Sequence, residues 1–165
     1  MLIFSLEREV ICMNIIVTGG SRGIGRCLVQ NLARDGHNVL LNYNKSDKQA
    51  KNLQEVLREE GILIEIFNAD VSKRNEVKEM VKFALEKWGK LDVLINNAGI
   101  AKLQMFQDVT ENDWNEIIDT NLKSAFYMSQ EVVPNMIHNK NHSAQGAVRF
   151  DKCYGFCRCI RRSQR

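Results

Sequence analysis

Between Val17 and Cys27 the chain reads Thr18-Gly19-Gly20-Ser21-Arg22-Gly23-Ile24-Gly25, joining the apolar run Ile15 to Val17 to an amphipathic segment that begins near Gly23. Glycine at such a junction lets the backbone take positive φ and lets an anion approach the N–H groups of the next helix's first turn. The stretch reads as a phosphate-binding turn, and a dinucleotide is the first ligand to consider. The bland alternative is a tight strand-to-helix turn with nothing bound, so the rest of the chain has to decide between them.

Apolar runs and helical stripes alternate along the chain. The pattern predicts a strand at about Asn14 to Thr18, a helix from about Gly23 to Asp35 and a strand at about Asn38 to Tyr43. A helix capped by Ser46 to about Glu60, a strand from Ile62 to Phe67 and a helix capped by Ser72 follow. Leu91 to Ile95 make a fourth strand, and Thr110-Glu111-Asn112-Asp113 opens a long helix. Its stripe of Trp114, Ile117, Ile118, Leu122, Ala125 and Phe126 reads as core, and Pro134, the only proline, should kink or end it.

This βαβ rhythm predicts an α/β fold, a Rossmann-like doubly wound parallel sheet. From about Lys140 to Arg165 nothing reads as another buried strand and helix. The sheet is therefore expected to be incomplete, with four strands and their flanking helices, leaving apolar surface on the fourth strand and the long helix.

Further motifs fall where a dinucleotide fold needs them: Asp70-Val71 after the third strand, Asn96-Asn97-Ala98-Gly99 after the fourth, and Asn121 within a helical pattern. With the glycine turn, these make residues 13 to 140 resemble the short-chain dehydrogenase/reductase family, and within it the 3-oxoacyl-[acyl-carrier-protein] reductases. The resemblance implies that Gly19, Gly23 and Gly25 form the pyrophosphate turn, with Ser21, Arg22 and Ile24 adding contacts. Arg22 beside the adenosine ribose can pair with a 2′-phosphate. The second strand ends Leu41-Asn42-Tyr43-Asn44-Lys45-Ser46, without the acid that would bind a free 2′-hydroxyl. NADP(H) is thus expected over NAD(H), with Asn44 among the cofactor contacts; the alternative is that Arg22 and Lys45 are solvated surface charges.

By the same resemblance Asp70 and Val71 sit at the adenine edge, Asp70 accepting from the exocyclic amine, although Asp after a strand is as often a helix-entry residue. Asn96, Asn97, Ala98 and Gly99 line the ribose and brace the central strands, or simply make the turn after the fourth strand. Asn121 matches the family's catalytic helical asparagine, whose disturbed helix geometry holds a water of the proton relay.

Family chemistry is hydride transfer between a nicotinamide and a carbonyl or alcohol, with a Tyr as acid/base and a Lys lowering its pKa. The sequence has no Tyr-x-x-x-Lys; Tyr154-Gly155-Phe156-Cys157-Arg158 comes nearest, and Arg fills the Lys role poorly. The expectation is a relative of the β-ketoacyl reductases that is itself catalytically incomplete. Two rivals stand: a non-catalytic dinucleotide-binding fragment pairing with other subunits through the helix 111–137, and, within the family, a reductase of 5-aminopentanone-modified elongation factor P.

The ends differ from the body. Residues from Asn141 onward carry a net charge of +5, leaving −2 for the rest. That abrupt change reads as a frameshifted or disordered basic tail, 141–165, which supports non-specific attraction to nucleic acid at most. Met13-Asn14-Ile15-Ile16-Val17 is a natural start, so residues 1–12 read as translated leader. Five cysteines give no disulfide framework, and Cys153, Cys157 and Cys159 have no usual zinc spacing, so no metal is expected. No apolar stretch approaches the roughly 20 residues of a membrane span, and the expected setting is the cytoplasm.

Overall fold

The computed structural model describes residues 12–139 and the backbone of 147–150. The chain alternates β1 (Asn14–Val17), α1 (Gly23–Arg34), β2 (Asn38–Tyr43), α2 (Asp47–Glu59), β3 (Glu65–Asn68), α3 (Arg74–Trp88) and β4 (Val93–Asn96). A 3₁₀ turn (Phe106–Asp108), α4 (Glu111–Ile118), a π-helical turn (Asp119–Lys123), α5 (Ser124–His138) and β5 (Ala147–Phe150) follow.

All strand pairs are parallel, in the order β3-β2-β1-β4-β5. Parallel sheets bury both faces, and the strands accordingly read as unbroken apolar runs. Ile15 and Val17 point with Val39 and Leu41 into one layer, against Val29 and Ala33 of α1 and Leu53 and Leu57 of α2. Ile16, Leu40 and Leu94 point the other way, against Val77, Met80 and Val81 of α3 and Met128, Val132 and Met136 of α5. The chain leaves β3 at one edge and re-enters beyond β1 as β4. That reversal of direction opens a crevice outside the carboxyl ends of β1 and β4, where open α/β sheets bind ligands.

The α/β doubly wound architecture is the expected one, but several elements differ. A fifth strand, β5, lies in the segment read as strandless, so β4 is not the sheet edge. The outer N–H and C=O groups of β4 need partners, and four residues of Ala147-Val148-Arg149-Phe150 suffice to satisfy them although they are too few to show a period. The third and fourth strands run Glu65–Asn68 and Val93–Asn96, each displaced from the expected position. Ser46 holds the N-cap position of α2 without a side-chain cap bond. Ser72 does not cap α3, whose N-cap is Lys73.

The single long helix is two helices joined by the π turn. A π turn carries an extra residue, which rotates the face of whatever follows it. The stripe continuous in sequence therefore splits. Beyond the turn Ala125 is buried and Phe126 is 55% exposed, and Leu122 within it is 63% exposed; Trp114, on α4 ahead of the turn, is 58% exposed independently of it. Pro134 neither ends nor interrupts α5, which runs on to His138. The bond it removes is offset by burial of Val132 and Met136 on either side. The leader positions 1–11, Tyr154-to-Arg158 and the cysteines of the tail lie outside the described residues.

Candidate functional site

A cleft of about 580 Å³ opens at the carboxyl ends of β1, β2, β3 and β4. It gathers Gly19, Ser21, Arg22, Ile24 and Gly25 from the glycine turn and Asn44 from the end of β2. Asp70 and Val71 from the end of β3, Asn97, Ala98 and Gly99 after β4, and Asn121 complete it. Of the expected site residues Gly23 and Asn96 stand outside the lining. Gly23 opens α1 with φ +55, and nothing lies within 4 Å of where its Cβ would be.

Gly25 is different, because its constraint is space. A Cβ there would lie 2.5 Å from Asn97 Nδ2 and closer still to the Gly19 carbonyl oxygen. The glycine thus lets the turn close against the loop after β4.

Thr18 fastens that closure. Its Oγ1 accepts from the N–H groups of Asn97 and Ala98, both at 3.0 Å, while Asn97 Nδ2 donates to the carbonyls of Thr18 at 2.8 Å and Gly19 at 3.1 Å. Asn42, 2% exposed, plays a similar part between β2 and its neighbours. Its Oδ1 accepts from Gly19 N–H at 3.3 Å, its carbonyl from Gly20 N–H at 2.9 Å, and its Nδ2 donates to Ala69 O at 2.9 Å. Neither role was legible beforehand. The one signal for Asn42 is an amide inside an otherwise apolar strand. Asn96 is buried at the end of β4 and does not line the cleft.

The electrostatics suit an anion at the α1 end. The helix has no side-chain N-cap bond and no acidic residue in its first turn, so its N-terminal N–H groups and the positive end of its dipole face the turn. By contrast α4 closes its own N-terminus with a full Thr110–Asp113 capping box. Arg22 and Lys45 line the cleft, are exposed, and make no ion pair with any described residue. The turn geometry, the uncapped helix and the cleft's size fit a dinucleotide phosphate.

At the β3 end, burial pushes the Asp70 carboxyl upward, but hydrogen bonds from the hydroxyl and N–H of Ser72 and the charge of Lys73 outweigh it and hold the group below its ordinary value. Asp70 is therefore an ionised acceptor near neutral pH. Asn121 lies in the π turn, so the helix geometry around it is disturbed as expected. Its Oδ1 accepts from Ile100 N–H at 2.8 Å and its Nδ2 donates to Ile100 O at 2.9 Å.

Tyr43 also lines the cleft. Burial, followed by its hydrogen bond to Asp47 at 2.8 Å, raises its pKa, the opposite of what an acid/base tyrosine needs. No group of acidic, histidine or cysteine side chains among the described residues could hold a metal ion, and no helix among them is long and apolar enough to cross a membrane.

The family model described as short chain dehydrogenase matches residues 13–148. The 3-oxoacyl-[acyl-carrier-protein] reductase of Staphylococcus epidermidis is 41% identical over 126 residues, 76% of this chain and 52% of that protein. Its Staphylococcus aureus counterpart is 39% identical over the same length, 51% of that protein. The chain thus spans about half the length of the curated relatives it matches. A Burkholderia cenocepacia short chain dehydrogenase in complex with NADP superposes with a TM-score of 0.71 at 32% identity, over 74% of this chain and 50% of the other. A metagenomic short-chain oxidoreductase in complex with NADP gives a TM-score of 0.76 at 25% identity, over 84% and 60%. By its glycine turn, its cleft at the sheet's reversal and a family match over most of its length, this chain belongs to the short-chain dehydrogenase family.

Proposed function

We propose that this chain is the dinucleotide-binding half of a short-chain reductase and takes NADP(H) in preference to NAD(H). The observation that carries the reading is the cleft itself, which brings the expected cofactor residues, Gly23 and Asn96 excepted, to one surface at the reversal point of the sheet. The uncapped N-terminus of α1 and the turn from Gly19 to Ile24 take the pyrophosphate. Arg22 and Lys45 neutralise a 2′-phosphate, and no acid stands at the end of β2 to repel it. Asp70 accepts from the adenine amine, and Asn97 to Gly99 shape the ribose wall.

The bound cofactor supplies the hydride. Intact proteins of this kind would pass it to a 3-oxoacyl group on an acyl carrier, the substrate in the names of the Staphylococcus relatives, or to the ketone of a modified elongation factor P. For the 165-residue chain itself we propose binding without turnover. Residues four after Tyr43, Tyr127 and Tyr154 are Asp47, Glu131 and Arg158, so no tyrosine is paired with a lysine at that spacing. Asn121 contributes by holding the Ile100 backbone in place. The exposed free thiols of Cys12 and Cys27 suit the reducing setting of a cytoplasm.

A second reading is favoured by the exposed Trp114, Leu122 and Phe126: the chain pairs with other copies across the 111–137 helices. Sedimentation of the purified chain tests this, and a monomer at high concentration would rule it out.

Thermal unfolding with and without NADPH or NADH tests the main reading. A ligand that binds only the folded state raises the midpoint by mass action. We expect a rise with NADPH exceeding that with NADH; no rise with either overturns the proposal.

A further inference from the structure

Asp70 is held at three of its polar groups. Its N–H donates to Glu76 Oε2 at 2.7 Å, its carbonyl accepts from Lys73 N–H at 2.9 Å, and its Oδ1 accepts from the N–H and hydroxyl of Ser72 at 3.0 and 2.7 Å. The Ser72 and Lys73 bonds are closed within a four-residue turn and tie that turn only to itself. The Glu76 bond is the one that reaches from a side chain inside α3 to the Asp70 N–H.

Glu76 is the third residue of that helix. A glutamate so placed ordinarily returns to the N-cap N–H and completes a capping box. Here the N-cap is Lys73, whose N–H is already taken by the Asp70 carbonyl. The carboxylate reaches past it, with Oε2 on the Asp70 N–H and Oε1 on the Lys73 ammonium at 3.1 Å. Asp70, Val71 and Ser72 line the cleft, but Glu76 does not.

We propose that Glu76 is a positioning residue for base recognition, fixing the peptide of Asp70 so that its carboxylate faces the exocyclic amine of a purine. The inference rests on the dinucleotide reading and extends it to a residue that touches no ligand. Without the Glu76 bond the turn keeps its internal hydrogen bonds and the anchoring of Ala69 to β2, but the Asp70 N–H loses its partner and the Asp70 peptide is free to turn. The carboxylate is then no longer held opposite one edge of the base.

The test compares NADPH with its hypoxanthine counterpart, in which a carbonyl replaces the 6-amine, by calorimetric titration of the whole chain. The wild type should prefer the adenine form. Glu76→Ala and Glu76→Asp should each lose most of that preference, about fivefold or more, because neither reaches the Asp70 N–H. Glu76→Asp keeps the charge at the start of α3 and so keeps the fold if Glu76→Ala loses it. Glu76→Gln retains an oxygen acceptor and should retain the preference.

A role confined to stabilising α3 would lower the melting midpoint without changing the ratio of the two affinities. An unchanged ratio in Glu76→Ala or Glu76→Asp overturns the proposal while the dinucleotide reading stands. A wild type that binds neither compound overturns the reading and this proposal with it.

Discussion

Asn121 grips Ile100 by both of its backbone polar groups, accepting from the N–H at 2.8 Å and donating to the carbonyl at 2.9 Å. This pairing fastens the loop after β4 to the π turn between α4 and α5, and so sets one wall of the cleft from an element more than twenty residues away. Asn121→Leu leaves a donor and an acceptor of Ile100 without partners. The expected loss is about 1–3 kcal/mol of stability, read as a lower urea midpoint, together with weaker NADPH binding. Asn121→Asp keeps the acceptor alone and should fall between Leu and wild type.

Gly25 and Gly23 answer to different constraints, which substitution by alanine separates. At Gly25 the new methyl meets Asn97 Nδ2 and the Gly19 carbonyl, so turn and loop must part. We expect about 1–3 kcal/mol of destabilisation and a loss of NADPH affinity of about tenfold or more. Gly23→Ala meets open space and carries only the strain of φ +55, about 1–2 kcal/mol, with the cleft lining intact. Titration of both variants checks the order.

Selectivity between the two dinucleotides should reside in Arg22 and Lys45. Replacing Arg22 by Ala is expected to weaken NADPH binding by about tenfold and to leave NADH binding nearly unchanged, with Lys45→Ala acting in the same direction. Because both side chains are exposed, the preference should shrink as salt rises. Equal losses for the two cofactors would assign Arg22 a role at the pyrophosphate instead.

Asp113 should contribute to acid sensitivity. Lys102, at 2.6 Å, and then the hydroxyl of Thr110 hold its carboxyl well below the usual range. Lys102 also pairs with Glu116, and the cluster pins the segment 102–104 to the start of α4. A carboxyl depressed in the folded state binds fewer protons than in the unfolded state. Its contribution is therefore complete above the unfolded value of about 4 and is lost as pH falls towards the folded one. Asp113→Asn should remove that part of the slope of stability against pH, measured by urea unfolding below about pH 4.

Much of the site was legible because its residues sit next to one another in the chain. The glycine turn, Asp70-Val71 and Asn97-Ala98-Gly99 each follow an apolar run directly, and a strand of a parallel sheet delivers whatever follows it to the same edge. Thr18 and Asn42 escaped notice because their partners are loops contributed by other strands. The stripe from Trp114 to Phe126 had the right period for a buried face, yet period says only which residues share a side of a helix.

The sequence by itself determined the βαβ order, the doubly wound parallel class and the motif residues, because backbone conformation and apolar periodicity act over a few residues. Tertiary structure decided that a π turn would split the helix, that Trp114, Leu122 and Phe126 would be exposed, that Ala147–Phe150 would pair with β4, and that Asn121 would hold Ile100. The β5 pairing and the Asn121 contact depend on which backbone N–H and C=O groups find partners in distant segments, and that is settled only when those segments meet.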